Sequence, residues 1–228
     1  MNPADIIVLL AVAAMIGAAV IVLRRNKKKG KSFCGCDCSQ CSQGCSGAED
    51  NMLLKKYKFR NIRPDETDQA AEIESICFPP NEACSFGHMA YRIRKAPDLF
   101  LVAEDRRTGK LAGFLNGLAT DRTTLTDDFF TDAQLHDPNG KNVMLLGLDV
   151  LPKHRGQGLA RELIRQYLER ERKKGRMRLI LTCAEGKVKM YEKFGFCDHG
   201  FGASNWGGEK WHEMSMMVKQ PPSPRSKS

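Results

Sequence analysis

Leu146-Gly-Leu-Asp-Val150-Leu-Pro-Lys-His-Arg155-Gly-Gln-Gly158-Leu-Ala160-Arg161 is the stretch that decides the fold. The apolar run Val143 to Val150 that feeds into it reads as a buried strand. An amphipathic helix follows from Gly158 to Lys174, with Leu159, Leu163, Ile164, Tyr167 and Leu168 on its buried side. Between strand and helix, Gly156 and Gly158 let the backbone turn tightly and bring several N–H groups to one point. The helix dipole adds partial positive charge there, so the turn is built to bind a phosphate or pyrophosphate. The spacing is neither Gly-x-Gly-x-x-Gly nor a P-loop with its Lys-Ser/Thr, which excludes the ordinary dinucleotide and triphosphate sites.

Outward from this junction, strand and helix signals alternate. Tyr57 to Arg63 alternates polar and apolar residues, and Pro64-Asp65 then starts a helix to about Phe78, which Pro79-Pro80 breaks. A second helix spans about Cys84 to Lys95. Leu99 to Glu104 and Leu111 to Ala119 form an antiparallel hairpin about Arg106-Arg107-Thr108-Gly109. Residues 120–140 read as a polar loop rich in Thr and Asp. Beyond the long helix come a strand at 178–183, a helix at 186–194, a strand at 196–201 and a last strand at about 209–218. The fold class is α/β, of the α+β kind: a mixed, mostly antiparallel sheet with flanking helices.

Arg155-Gly-Gln-Gly158-Leu-Ala160 after an apolar strand resembles the acyl-CoA pyrophosphate loop of the GNAT acetyltransferase superfamily. Val188-Lys-Met-Tyr191-Glu-Lys-Phe194-Gly195-Phe196 looks like that superfamily's closing Tyr-x-x-x-Gly-Phe element. Three further blocks resemble the arylalkylamine N-acetyltransferase-like branch: Ile73 to Ser85, Ala96-Pro97-Asp98-Leu99-Phe100, and Gly207 to Met214. The resemblance covers about residues 57–218. It implies the GNAT fold, acetyl-CoA as cosubstrate and acetyl transfer to a primary amine, arylalkylamine-like or a polyamine.

By the same resemblance, Leu148 and Val150 would bond the pantetheine through their backbone, and Arg155, Gly156, Gln157, Gly158, Leu159, Ala160 and Arg161 would hold the pyrophosphate. Tyr191 would protonate the leaving CoA thiolate. An amine is protonated at neutral pH, so a base must act before attack. The vertebrate members carry two histidines on the central strand, where this chain has Met144 and Leu146, neither able to accept a proton. Glu82 matches an acidic residue of insect members and is the expected base, although an acidic residue near a helix start is also favoured by the dipole alone. His136 and His154 do not occupy the matching positions. Asp127, Asp128 and Asp132 could attract a cationic acceptor, and Trp206 and Trp211 could wall its pocket or pack the last strands.

The N-terminal part has a different character. Ile6 to Leu23 is an uncharged apolar run of 18 residues, about 27 Å as a helix, close to the ~30 Å hydrocarbon core. No Lys or Arg precedes it, whereas Arg24, Arg25, Lys27, Lys28, Lys29 and Lys31 follow. That asymmetry favours a retained single-pass anchor over a cleaved leader, with the N-terminus outside and the rest cytoplasmic. Cys34, Cys36, Cys38, Cys41 and Cys45 then fall within twelve residues, among Gly and Ser. Thiolates so spaced suit a soft metal ion or, alternatively, palmitoylation. Residues 1 to about 48 resemble Cys-rich membrane proteins associated with bacterial ferrous-iron transport, which implies an iron-transport partner.

The expected organisation is an anchor with basic flank at 1–31, a Cys-rich tract at 32–50, the transferase domain at 51–218 and a disordered tail at 219–228. The formal charge of +9 divides into +2 for residues 1–50, +4 for 51–218 and +3 for the tail, so no segment has the basicity of a nucleic-acid binder. The scattered remaining thiols, Cys77, Cys84, Cys183 and Cys197, exclude a secreted disulfide scaffold. The competing reading is a membrane-tethered metal or redox module whose CoA-binding domain turns over slowly or not at all.

Overall fold

The structure is a computed structural model, and it describes residues 52–218. The expected anchor, Cys-rich tract and tail lie outside the described residues. Among the described residues no helix is long and apolar enough to cross a membrane, and no group of His, Cys, Asp or Glu side chains is arranged to hold a metal ion.

The strands are β1 Tyr57–Asn61, β2 Phe100–Asp105, β3 Leu111–Thr120, β4 Asn142–Val150, β5 Arg178–Cys183, β6 Cys197–Phe201 and β7 His212–Met217. They form one seven-stranded sheet in the order β1-β2-β3-β4-β5-β7-β6. Every neighbouring pair is antiparallel except β4 with β5. The helices are α1 Thr67–Cys77, α2 Phe86–Lys95, α3 Asp128–Thr131, α4 Leu159–Lys173 and α5 Val188–Glu192.

The two faces of the sheet have different covers. An added Cβ at Gly117 would come within 3.1 Å of the Tyr167 hydroxyl on α4, which marks the α4 face. An added Cβ at Gly147 would come within 3.5 Å of Glu74 on α1, which marks the other. The larger apolar core joins Leu115, Leu159, Leu163, Tyr167 and Leu181, all buried. A second core of Ile73, Met89, Ile93, Phe100 and Phe114 lies under α1 and α2. Central β3 is buried at every position, as expected for a strand covered on both faces.

The loop expected over 120–140 is more ordered than its polar composition suggests. It contains α3 and a 3-10 turn, and it buries Leu125 and Phe129 completely. The helix expected from Cys84 starts at Phe86 instead, because the Ser85 hydroxyl accepts the His88 N–H and caps it there.

Candidate active site

β4 and β5 stay paired only at Asn142↔Arg178, Val143↔Leu179 and Met144↔Ile180, and beyond those residues they diverge. On its other edge β4 remains bonded to β3, with one irregularity: Gly117 faces Leu145 and Asn116 faces Gly147, so Leu146 is an extra, bulged residue. Past the bulge the Leu151 N–H donates to the Ala112 carbonyl of the β3 side at 3.0 Å. Antiparallel ladders alternate the direction of their backbone groups. The N–H and C=O of Leu148 and Val150 therefore point into the gap between β4 and β5.

A cavity of about 720 Å³ occupies that gap, within the range of sites that take small molecules and cofactors. Leu146, Gly147, Leu148 and Val150 line one wall and Leu181 to Ala184 the other. At one end stands the turn read from sequence. Gly156 and Gly158 adopt φ of +71° and +84°, a region that only glycine enters cheaply, and Gly158 is the residue that opens α4. Arg155, Gly156, Gly158, Leu159, Ala160 and Arg161 all line the cavity. Helix N-terminal N–H groups, Arg155, Arg161 and nearby Lys187 make this end positive.

Two of the expected contacts are modified. Gln157 is absent from the cavity wall: its side chain donates to the Lys153 carbonyl at 3.0 Å and accepts from Lys56 Nζ at 2.6 Å, so it ties the turn to the start of β1. The Val150 carbonyl is occupied by Arg155 Nε at 2.8 Å and the Cys77 thiol at 3.5 Å, which leaves its N–H for a ligand.

Tyr191 lines the cavity from α5 and packs edge-on against Phe194 and Phe196, at centroid distances of 6.1 and 5.7 Å. Gly195, at φ +100°, makes the turn that brings Phe196 back under it. Burial, with smaller contributions from Cys183 and Asp149, holds the phenol well above its ordinary value, so it carries its proton at neutral pH. Cys183 beside it is pushed up to about 11 by burial and by Asp198, and as a thiol it donates to Met214 Sδ at 3.5 Å.

Glu82 lies on the cavity wall, half-buried, and burial followed by the charge of Glu209 raises its carboxyl. It stands in the turn before α2, ahead of the Ser85 cap and not within the helix. Trp206 and Trp211 belong to the same wall. Trp206 Nε1 donates to the Glu82 carbonyl at 2.7 Å, its ring stacks on Phe130 at 5.0 Å, and Trp211 Nε1 donates to the Trp206 carbonyl at 2.8 Å.

The loop aspartates do not reach the cavity. Asp127 accepts from Ser204 and Asn205, Asp128 pairs with Arg122, and Asp132 caps the Gln134 N–H. Both histidines singled out have their rings engaged within the fold, although His154 also lines the cavity. His154 bonds the Tyr57 hydroxyl at 2.8 Å, the His136 ring accepts the Ala119 N–H at 3.1 Å, and burial keeps each below its ordinary value and neutral. Met144 is fully buried.

The sequence reading missed Glu74, which lines the cavity from α1 and approaches Asp149 on β4. One signal was available: Asp149 is the sole charged residue between Val143 and Val150, and charge is rarely buried without a partner.

A splayed strand pair with a glycine turn opening a helix at one end and a phenol facing the gap has counterparts among known proteins. The family model described as "Acetyltransferase (GNAT) family" matches residues 66–196, more than half of the chain. The model described as "FeoB-associated Cys-rich membrane protein" matches residues 4–47. Serotonin N-acetyltransferase of Mesocricetus auratus is 29% identical over 154 residues, spanning 66% of this chain and 72% of that protein. Two solved structures share the fold. The loading GNATL domain of CurA from Lyngbya majuscula has a TM-score of 0.61 at 16% identity, over 71% of this chain and 98% of its own. YncA of Salmonella typhimurium, described as a putative acetyltransferase with its cofactor acetyl-CoA, has a TM-score of 0.52 at 15% identity, over 75% of this chain and 98% of its own. The geometry of the site and the family match agree, and the chain belongs to the GNAT family of N-acetyltransferases.

Proposed function

We propose that this domain transfers the acetyl group of acetyl-CoA to a primary amine, drawing on cytoplasmic acetyl-CoA while its N-terminal segment holds it at the membrane. The observation that carries the reading is the gap between β4 and β5, lined by backbone donors in the middle, a cationic helix start at one end and a protonated phenol on the far wall. The turn from Gly156 to Arg161 holds the pyrophosphate, and the Val150 N–H anchors the pantetheine. The Leu148 N–H points to where the thioester oxygen gains charge and stabilises it.

Glu82, at the wall shared with Trp206 and Trp211, removes the proton from the incoming ammonium. A raised carboxyl suits that task, since a base works best when its pKa approaches the operating pH. After attack Tyr191 protonates the departing thiolate. The aromatic wall favours an arylalkylamine acceptor, in keeping with the serotonin N-acetyltransferase relative.

Residues 1–31 supply the anchor in this reading. Cys34, Cys36, Cys38, Cys41 and Cys45 hold a soft metal ion, and the partner is a ferrous-iron transport protein, as the Cys-rich family match suggests. The transferase reading is tested by acetyl-CoA turnover with a panel of arylalkylamines and polyamines. Amine-dependent release of free CoA is expected. Clear acetyl-CoA binding with no amine-dependent thiol release would refute it.

A further inference from the structure

Beneath the cavity, on the α1 face of the sheet, lies a polar cluster that the transfer scheme above does not use. Asp149, Asn116, Glu74 and Arg92 are exposed by only 0%, 1%, 3% and 4%. Neither oxygen of Asp149, neither amide atom of Asn116, nor Glu74 Oε2 or Arg92 Nη1 has a hydrogen-bond partner of good geometry among the described residues, although Glu74 and the Cys77 thiol lie close enough to Asp149 to act on its carboxyl. Buried polar atoms of that number are costly unless they serve a purpose. The free atoms also converge. A Cβ placed on Gly147 would sit 2.9 Å from Asn116 Nδ2, 3.0 Å from Asp149 Oδ2 and 3.5 Å from Glu74 Oε2. Gly147 is the neighbour of Leu148, whose N–H faces the reacting centre, and Glu74 itself lines the cavity.

Two carboxylates that face one another bond only when one carries a proton. Those groups that face the pair are Cys77 on α1, Cys84 ahead of α2, Arg92 on α2, Asn116 on β3 and, across the cavity, Tyr191 on α5. The thiols are neutral, Cys84 being pushed up to about 11, so Arg92 is the only cation among them. An ionised pair beside Arg92 carries net negative charge, and one added proton neutralises the cluster and supplies the missing hydrogen bond.

We propose that Glu74 and Asp149 act as one proton-accepting pair that takes the second proton lost by the acceptor nitrogen, as the new C–N bond forms. This rests on the amine-acetylation reading. An alkylammonium loses two protons on its way to an amide. Glu82 takes the first, and the free amine attacks the thioester carbon while the carbonyl electrons move to oxygen at the Leu148 N–H. The nitrogen, now cationic, gives its second proton to Glu74 Oε2. The C–S bond breaks with its electron pair on sulfur, and Tyr191 protonates the thiolate. The tyrosinate regains its proton from the pair, and the net proton released is the one left on Glu82.

The test compares wild type with Glu82→Gln, Glu74→Gln and Asp149→Asn, each nearly isosteric. Two acceptors are used: an alkylamine, charged at neutral pH, and an arylamine, neutral there. The neutral acceptor needs no first deprotonation. It should restore turnover to Glu82→Gln but leave Glu74→Gln and Asp149→Asn reduced on the order of 10²-fold in kcat. Acetyl-CoA affinity in those two variants should stay at the wild-type value, which also verifies that each has folded. Wild-type kcat in Glu74→Gln with the arylamine, or a loss matched by lost acetyl-CoA affinity, would overturn the proposal while the transferase reading stands. No amine-dependent CoA release by the wild type would overturn both.

Discussion

Gly147→Ala tests the geometry on which the buried acid pair depends. The new methyl would lie 2.9 Å from Asn116 Nδ2 and 3.0 Å from Asp149 Oδ2, both closer than ordinary packing allows, and 3.5 Å from Glu74 Oε2, an ordinary contact. All three neighbours are side-chain ends, so they can yield, but each is buried and can retreat only into packed surroundings. Overpacking of this kind costs about 1–3 kcal/mol, and yielding side chains place this case near ~1–2 kcal/mol. For a domain of this size each kcal/mol corresponds to about 2–4 °C in Tm, so a fall of roughly 2–8 °C is expected. Asn116→Ala removes the nearest obstacle. In that background the added methyl should cost less, with a coupling of about 0.5 kcal/mol or more between the two substitutions. Thermal unfolding of wild type, both single variants and the double variant measures it. A wild-type Tm for Gly147→Ala, or strict additivity in the double variant, would refute the convergence of polar atoms over this glycine.

Tyr191→Phe should lower kcat on the order of 10²-fold with little change in acetyl-CoA affinity, and a loss confined to affinity would assign the phenol to binding instead. Ala at Gly156 or Gly158 forces a non-glycine residue to a positive φ, at a cost of about 1–2 kcal/mol; calorimetric titration should show weaker acetyl-CoA binding, and unchanged affinity would count against the turn as the pyrophosphate site. Burial raises Asp149 and Glu74 above their ordinary 3.8 and 4.5, so the folded state binds protons more tightly than the unfolded chain. The pair's contribution to stability is then complete below those ordinary values and declines as pH rises through the raised ones. Asp149→Asn should therefore gain in Tm relative to wild type as pH rises above those ordinary values, and a difference independent of pH would contradict the raised acids. Anaerobically purified chain should carry more bound metal than a variant with all five tract cysteines changed to Ser, and equal metal content would reject the tract as a metal site.

Order of elements, sheet character and the glycine turn that opens α4 were legible because each rests on local chemistry. Strand β4 announces itself by an apolar run, α4 by a 3.6-residue stripe, and the turn by glycines at positions that need positive φ. The region between β3 and β4 was less legible. A four-residue helix such as α3 is too short for periodicity to reveal it, and it is held by burial of Phe129 and by long-range hydrogen bonds such as that from the Ser204 hydroxyl to Asp127. Gln157 illustrates the same limit at the site: its side chain is fixed by Lys56, far away in sequence, a contact that no local pattern announces. Glu74 and Asp149 were invisible as a pair because their proximity is made by packing α1 on β4, which no local pattern encodes.

The bulge at Leu146 explains how a strand without histidines can still present acid–base groups to an acceptor. In an unbroken strand residues alternate faces, so Met144 and Asp149, an odd number of positions apart, would point to opposite sides. Here Met144 pairs with Leu118, Gly147 with Asn116 and Asp149 with Phe114, all even-numbered positions on β3 that share one face. The extra residue thus moves Asp149 from the α4 face to the α1 face, where Glu74 and the cavity lie. Had the register continued without it, the acid would have entered the apolar core beside Leu159 and Leu163 with no partner, at a cost of several kcal/mol. The same bulge turns the backbone groups of Leu148 and Val150 into the gap that β5 leaves open. One inserted residue therefore places the donors for the thioester oxygen and the acid pair within two positions of each other on one strand, both beside the same cavity. A deletion of Leu146 that restored regular pairing should abolish acetyl-CoA binding and acid pairing together, whereas retention of either one would show that they are set independently.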